Sequence, residues 1–318
     1  MLLSNEEIRH AILSILKDER EPMGSKKLSE KLKEVGIELS EAAIRYHLRI
    51  LEERGYVRKV KNLGRRITQK GLSELERANV MARVSTLLTK KEEYMYMSNF
   101  NPETRKGKIL VNFCKFKKEY LNDVIDIFKE CYKRKLAISP LVKLVEESEL
   151  LSEDELGLYY INGIAIDSIL LRRGINVHLK YGGVVEFKDG EPARFTDIIG
   201  YETSSITSVD LFLAKSFSAL NILTTGSGEC PATFRVVPGI CYQEIIEISA
   251  KLNKCKINGF LKIGKPNQEV LGLPVNSDRV GIAIVTSSTP LLILKEQGID
   301  VGLELMVDVI DYKLLEEL

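Results

Sequence analysis

Several features are scarce or missing in this chain of 318 residues, which has no tryptophan, only three histidines and five cysteines. The cysteines are odd in number and form no CxxC pair, so neither a disulfide framework nor a zinc site is predicted. No run of about 18 uncharged apolar residues occurs, and the first apolar stretch is broken by charges, unlike a signal peptide. We therefore expect a cytoplasmic protein with reduced thiols, no metal, no cofactor and no membrane partner.

The sequence motifs of common enzyme classes are also missing. There is no Walker loop, no GxSxG and no HExxH, and Gly226-Ser227-Gly228 lacks the strand-to-helix context of a dinucleotide fingerprint. The sequence predicts no catalytic residue, and we expect the chain not to be an enzyme.

Charge is present in both signs but is unevenly distributed. Residues 1–71 contain 16 Lys and Arg against 11 Asp and Glu, whereas residues 72–318 contain 30 against 34. The length favours more than one domain, because a single hydrophobic core rarely organises more than about 250–300 residues. A basic end on a neutral chain is typical of a nucleic-acid-binding module joined to another domain.

The amino-terminal residues show three amphipathic helices. Apolar residues recur at helical spacing over residues 5–18, 25–36 and 40–55. Ser25 and Ser40 are expected to cap the second and third helices, and Gly36 and Gly55 are expected to end them.

A short hairpin is predicted after these helices. The β-prone runs Tyr56–Val60 and Arg65–Thr68 flank a glycine-containing loop at residues 61–64. Three helices followed by a basic hairpin is the order of a winged helix-turn-helix, whose third helix enters the major groove of DNA. The alternative is a helical protein–protein module with a solvated charged face.

The predicted DNA contacts come from the third helix and the hairpin. At 100° per residue, part of that helix faces away from the apolar stripe of Ile44, Leu48 and Leu51. Arginine reads guanine edges, and hairpin cations bind phosphates. The predicted DNA-binding residues are Ser40, Ala42, Arg45, Tyr46, Arg49, Lys59, Lys61, Arg65 and Arg66. Tyr46 could instead pack beneath the hairpin, and His47 is expected in the core or at its boundary.

The rest of the chain resembles two copies of one α+β unit. Residues 72–98 have helical composition, and GKILVNFCKF then reads as a buried strand. Three pairs of stretches correspond at offsets of about 120 residues: 120–138 with 241–259, 163–166 with 281–284 (both Gly-Ile-Ala-Ile), and 170–187 with 294–312. The fold class predicted for the whole chain is α+β, an amino-terminal winged helix-turn-helix followed by an internally duplicated α+β regulatory domain.

The segment between the copies has no counterpart in either half. It is rich in Ser, Thr and Gly, and a polar crossing between two lobes is a place where ligand clefts form. The predicted domains are a winged helix at 1–71, a helical connector at 72–98 and an effector or dimerisation domain at 99–318, with halves of about 99–190 and 230–318 and the crossing at 191–229.

The sequence resembles the archaeal nitrogen-regulatory repressors of the NrpR family. The resemblance rests on the winged helix followed by FNPETRKGKILVN, on GGVVEFKDGEPARFTDIIGYE and on GSGECPATFRVVPG, and it covers nearly the whole chain. It implies a repressor that binds a double-stranded DNA operator as a homodimer and is released by 2-oxoglutarate. The stretch FRVVPGIC departs from the more acidic one expected in relatives, so effector binding is altered or is shared with a second regulatory chain that lacks the winged helix.

A 2-oxoglutarate site needs cationic or N–H donors and hydroxyls for two carboxylates and a keto group. The predicted effector-binding residues are Arg194, Thr196, Thr203, Ser204, Thr225, Ser227 and Arg235. Each one alone could be a turn residue or a surface charge.

The sequence therefore predicts a repressor of nitrogen-assimilation genes. Two alternatives remain: a regulator whose carboxy-terminal domain only dimerises or senses another metabolite, and a bifunctional regulator-enzyme like the biotin ligase repressors. The latter need a glycine- and arginine-rich adenylate loop, and the nearest match, Leu63–Arg66, lies in the predicted hairpin.

Overall fold

The computed structural model describes residues 5–19, 22–61, 63–78, 80–148, 150–204, 206, 208–215 and 218–318, without the side chains of 76–87 and 304–306. The chain divides into two compact units, Met1–Ser85 and Thr86–Leu318. Each is described below by itself.

The amino-terminal unit is a winged helix-turn-helix, which confirms the predicted fold. Its elements are α1 (Asn5–Asp18), α2 (Ser25–Glu34), α3 (Glu41–Glu53), β1 (Val57–Val60), β2 (Gly64–Ile67) and α4 (Gln69–Ala78). Strands β1 and β2 pair antiparallel, and Asn62 of the loop between them lies outside the described residues. We call residues 57–67 the wing.

Apolar stripes on the three helices form the core of this unit. Ile12, Leu28, Ile44 and Leu48 are completely buried, and His47 is buried beside them, as expected. Such burial fixes which face of each helix is left outside.

One predicted helix cap is right and one is wrong. The Ser40 hydroxyl accepts a hydrogen bond from the Ala43 N–H at 3.3 Å, whereas the cap of α2 is Gly24, without a side-chain bond. Ser25 is the first residue of α2 and its hydroxyl bonds Glu41 at 3.4 Å, so it joins two helices instead.

The carboxy-terminal unit contains both helices and strands. They are α5 (Val80–Met97, which begins in the first unit), β3 (Lys108–Lys117), α6 (Leu121–Lys133), β4 (Leu141–Val145), β5 (Glu155–Ile161), α7 (Ile164–Arg172), β6 (His178–Lys188), β7 (Glu191–Gly200), α8 (Ser208–Ala214), α9 (Leu220–Thr225), β8 (Gly228–Pro238), α10 (Tyr242–Lys254), β9 (Phe260–Ile263), β10 (Arg279–Val285), α11 (Thr289–Glu296), β11 (Gly302–Asp311) and β12 (Glu316–Glu317).

The described strands of this unit form two five-stranded sheets, in the orders β11-β3-β5-β4-β12 and β7-β6-β8-β10-β9. The predicted duplication is confirmed, because β3-α6-β4-β5-α7-β6 has the same order as β8-α10-β9-β10-α11-β11. The halves exchange their last strands: β6 pairs with β8 of the second half, and β11 pairs with β3 of the first.

Strand registers give the correspondence residue by residue. From α6 to α10, and from Lys135 to Lys256, the offset is 121 residues, and both lysines have positive φ, 59° and 55°. From β5 to β10 and from Gly174 to Gly298 the offset is 124 residues, and both glycines also have positive φ. Equivalent positions can therefore be compared directly.

One predicted correspondence is wrong. The first Gly-Ile-Ala-Ile, residues 163–166, opens helix α7, whereas the second, residues 281–284, lies inside strand β10. The identical letters are not equivalent positions, and a four-residue apolar run is compatible with either a helix or a strand.

The crossing segment between the halves is more regular than its polar composition suggests. It holds β7, which pairs with β6, and the short helices α8 and α9. β7 covers the outer edge of β6, so its residues are held by the second sheet.

Candidate functional site

The outward face of α3 carries the residues predicted to read DNA. Ala42, Arg45, Tyr46 and Arg49 are all exposed, while Ile44 on the opposite face is buried. The burial of that opposite face and the Ser40 cap fix which side of the helix is presented.

These α3 cations are held loosely. Arg45 pairs with Glu41 at 3.2 Å and Arg49 with Glu53 at 3.7 Å, and all four side chains are exposed. Exposed pairs at i,i+4 contribute only about 0.3–0.5 kcal/mol, so a base edge can replace the carboxylate. Tyr46 is 51% exposed and lies under the Arg49 guanidinium at 5.9 Å, so it does not pack beneath the wing.

The wing presents three exposed cations. Lys59 and Lys61 are exposed, and among the described residues neither has an ion-pair partner. Arg58 is exposed as well and lies directly opposite the half-buried Arg66. Sequence reasoning missed Arg58, although the alternation from Val57 indicates its outward direction.

Arg65 has a structural contact that the sequence did not reveal. Its Nε and Nη2 donate to the Glu52 carboxylate of α3 at 3.1 and 2.9 Å, and its side chain is 23% exposed. Both bonds go to one carboxylate oxygen, and this charge-assisted contact joins the wing to α3. A phosphate contact by Arg65 stays a prediction and would compete with Glu52.

The predicted effector residues fall in four places: β7, the turn after it, the end of α9, and β8. Arg194 and Thr196 lie on β7, where Arg194 pairs with Glu186 at 2.9 Å. Ser227 lines a shallow pocket of about 500 Å³ with Glu186, Lys188, Asp189 and Glu229. Three carboxylates against one lysine do not suit a dianionic ligand.

The predicted hydroxyls mostly satisfy local turns. Thr225 Oγ1 donates to the Asn221 carbonyl at 2.8 Å and accepts from the Ser227 N–H at 3.2 Å. Ser204 Oγ donates to the Ile206 carbonyl at 3.1 Å, and Thr203 is exposed just after β7. These contacts are typical of turn residues.

Arg235 differs from the other predicted effector residues, because it is buried on β8. Its Nε donates to Asp167 of α7 in an ion pair whose side chains are 2% and 1% exposed. Its Nη1 donates to Thr233 Oγ1 at 2.6 Å. Among the described residues, Asp167 Oδ2 has no hydrogen-bond partner.

Two further polar side chains lie at the edge of this ion pair. Lys91 of α5 and Tyr201, which follows β7, are half-buried, and the Lys91 ammonium is 5.4 Å from the Tyr201 ring centre. We call Lys91, Asp167, Tyr201 and Arg235 the polar cluster. Burial lowers the pKa of Lys91 and raises that of Tyr201, and the charges of Asp167 and Arg235 act on both pKa values.

Sequence reasoning found only Arg235 of this cluster. Asp167 carries a signal in the sequence, since it is an acidic residue inside the apolar helix IAIDSILL and such a residue is rarely buried unpaired. No such signal in the sequence identifies Lys91, because lysine is common in a charged helix.

Neither a metal cluster nor a membrane span is found in the described part of the chain. No group of three or more His, Cys, Asp or Glu there could hold a metal ion. No described helix combines the length and the apolarity needed to cross a bilayer. Cys114, Cys131 and Cys230 are buried, which raises the pKa of their thiols and makes them poor nucleophiles.

Comparisons with known proteins agree with both units. A family model described as NrpR regulatory domains NRD1 and 2 matches residues 84–317, and one described as the ribonuclease R winged-helix domain matches residues 10–75. A crystal structure of a nitrogen repressor-like protein from Methanococcus jannaschii is 32% identical, with a TM-score of 0.61, over 72% of this chain and 97% of that one.

Curated relatives are similar over nearly the whole chain. The global nitrogen regulator NrpRI of Methanosarcina mazei is 30% identical over 311 residues, 96% of each chain. The global nitrogen regulator NrpR of Methanococcus maripaludis is 31% identical over 90% of this chain and 51% of its own length. That of Methanocaldococcus jannaschii is 32% identical over 88% and 49%, so the chain spans about half the length of the latter two.

Proposed function

Because the chain belongs to the NrpR family of nitrogen regulators, we propose that it represses nitrogen-assimilation genes by binding an operator as a dimer, and that 2-oxoglutarate releases it. The comparisons support a transcription regulator with a winged-helix domain. The operator, the dimer and the effector are the proposal.

The exposed face of α3 supports the DNA-binding role. Arg45 and Arg49 project from a capped helix whose other face is completely buried, next to a wing that carries Lys59 and Lys61. In this arrangement the α3 arginines contact base edges in the major groove and the wing lysines contact phosphates.

We infer dimeric binding because one α3 presents only a small surface to the base edges. Four exposed side chains cover only a few base pairs, and winged helices commonly reach useful specificity by placing two copies on half-sites one helical turn apart. The operator is therefore a palindrome. The duplicated unit supplies the pairing surface and the effector response.

The DNA-binding role is tested by selecting operators from a random duplex pool and titrating variants in mobility shifts. Arg49→Ala relaxes base preference at one position of each half-site. Lys59→Ala weakens all sequences alike and lowers the slope of log K against log salt by about 1. Lys17→Ala, an exposed lysine on α1, is the matched control and leaves both properties unchanged. Equal effects of Arg49→Ala and Lys59→Ala contradict the assigned roles.

The effector role is tested by adding 2-oxoglutarate to the operator complex. Release at physiological ligand concentration supports the proposal, in the presence or absence of a second regulatory chain. An unchanged shift at millimolar ligand under both conditions overturns it, and leaves a domain that only dimerises or responds to another metabolite.

A further inference from the structure

The polar cluster breaks the equivalence of the two halves. Arg235 of β8 corresponds to Cys114 of β3, and Asp167 of α7 corresponds to Leu291 of α11, by the strand and helix offsets above. Cys114 and Leu291 are both buried in one apolar cluster. The same architecture is therefore built without charge at one of its two equivalent positions, and the fold does not require the Asp167–Arg235 pair.

The charges of the cluster do not balance. Lys91 and Arg235 carry two positive charges and Asp167 one negative charge. Two further carboxylates, Glu202 and Glu92, also act on the pKa of Lys91, but both residues are exposed to solvent, and Glu202 lies 3.6 Å from His178. No carboxylate of the described residues lies within ion-pair distance of Lys91, whose ammonium lies 5.4 Å from the centre of the Tyr201 ring. A partly desolvated excess of positive charge favours an anionic ligand.

Donors for such a ligand remain available. Arginine has five N–H groups, and Arg235 donates from Nε and Nη1, while its Nη2 makes no hydrogen bond to a described residue. Lys91 has three N–H donors. Lys91 and Tyr201 are half-buried whereas Arg235 and Asp167 are buried, so the cluster opens to solvent at the Lys91 side.

We propose that a carboxylate of a small anionic effector binds between the Lys91 ammonium and the Arg235 guanidinium, beside the Tyr201 ring. Asp167 acts as a positioning residue, because its carboxylate holds Arg235 through Nε and leaves the remaining donors for the ligand. The inference rests on the proposed function, in which that effector is 2-oxoglutarate.

A ligand at this site would also contact α5, the helix that begins in the amino-terminal unit. Lys91 is on α5, and the end of α5 is fixed to α7 by Arg172, whose Nη2 and Nε donate to the Tyr96 and Ser98 carbonyls at 2.6 Å each. A carboxylate bound to Lys91 therefore adds a contact between α5 and the duplicated core. A ligand can act only through such differential contacts.

The test is isothermal titration of the full chain with 2-oxoglutarate, glutarate and inorganic phosphate. Lys91→Met, which keeps length and removes charge, weakens carboxylate binding about tenfold or more, as expected for a charge-assisted contact. Lys91→Arg restores most of it. Lys90→Met, one residue away on the same helix and with its ammonium over the Tyr94 ring, is the matched control and binds like the unmodified chain.

The outcomes separate this inference from the proposed function. Equal 2-oxoglutarate binding by Lys91→Met and the unmodified chain overturns the site but leaves 2-oxoglutarate as effector. Lys91-dependent binding of glutarate without 2-oxoglutarate binding supports the site and overturns the effector. Binding of phosphate alone, or of none of the three, overturns the site. Circular dichroism of each variant verifies that it is folded.

Discussion

At the scale of single residues, Asp167 and Arg235 form the most deeply buried ion pair of the described residues. Burying two charges removes their hydration, and their mutual attraction offsets this desolvation free energy only when the geometry is good and the remaining polar atoms are hydrogen-bonded. Arg235 has a second bond to Thr233, whereas Asp167 Oδ2 has no partner among the described residues. The pair is better explained by ligand binding than by stability.

Removing either partner alone should destabilise the carboxy-terminal unit. Asp167→Leu or Arg235→Met leaves one uncompensated buried charge, which costs about 3–5 kcal/mol. The double variant, which imitates the apolar Leu291 position, costs less than the sum of the two. Urea unfolding of the four chains measures the cycle, and additive effects would show that the charges do not interact.

Binding of 2-oxoglutarate should depend on pH through Lys91. Desolvation, countered by Asp167, Glu202 and Glu92 and reinforced by Arg235, holds the pKa of Lys91 below its usual value. The charged form binds the carboxylate, so affinity is constant at pH values where the ligand carboxylates are ionised and Lys91 is charged, and it falls as pH rises through this lowered pKa. Titration calorimetry over a pH series measures the fall. Lys91→Met should not show it.

The sequence predicted the exposure of side chains well where the apolar stripe of one helix decides their direction. Ala42, Arg45 and Arg49 are exposed because α3 has a clear apolar stripe. The sequence did not predict contacts whose partner lies elsewhere in the chain. The Arg65–Glu52 pair joins a strand to a helix, and Arg235 pairs with Asp167, 68 positions away. Such partners depend on tertiary packing, which local periodicity does not contain.

At the scale of elements, the wing is fastened to the helices by its backbone. Met23 and Arg65 exchange two backbone hydrogen bonds, each 2.9 Å. Gly64, next in the chain to Arg65, has a φ of +114°, and a Cβ there would lie 2.2 Å from the Met23 carbonyl. The close approach of the two backbones requires glycine at this position.

Gly64→Ala should therefore displace the wing. Both the positive φ and the contact with Met23 oppose a Cβ, and strain of this kind costs about 1–3 kcal/mol or more. We expect weaker binding to all DNA sequences and a lower melting temperature of the amino-terminal unit in calorimetry. Gly24→Ala, where a Cβ meets nothing within 4 Å, is the control. Unchanged DNA affinity of Gly64→Ala would show that the wing does not touch DNA.

Element predictions succeeded where a repeat or a cap supported them. Helices α6 and α10 were found because their apolar patterns match over a whole helix. The Gly-Ile-Ala-Ile match failed because four residues carry too little periodicity to separate a helix from a strand. Polar composition concealed β7, since an edge strand has an outer face in solvent and little apolar patterning.

At the scale of the whole chain, strand exchange ties the two halves of the carboxy-terminal unit together. β3 and β8 are each flanked by a strand of the other half, β11 and β6. Neither half can complete its sheet alone, so the described unit should unfold in one cooperative step.

Deletion of residues 302–318 tests this dependence. The truncated chain lacks β11 and β12, so β3 and β4 become unprotected edges of the first sheet. We expect fast amide exchange in β3, although the deleted residues belong to the other half. Deletion of residues 1–78 is the control and should leave the carboxy-terminal unit protected. Retained protection of β3 after the first deletion would contradict the prediction.

If the proposed site is the effector site, the unequal halves also set the number of effector molecules per chain. Two identical halves would offer two equivalent sites, one in each half, and both sites would bind effector with the same intrinsic affinity. Here Cys114 and Leu291 remove one of them. On the proposed site we expect each chain to take up a single effector, so that a sigmoidal response to it would originate between chains and not within one.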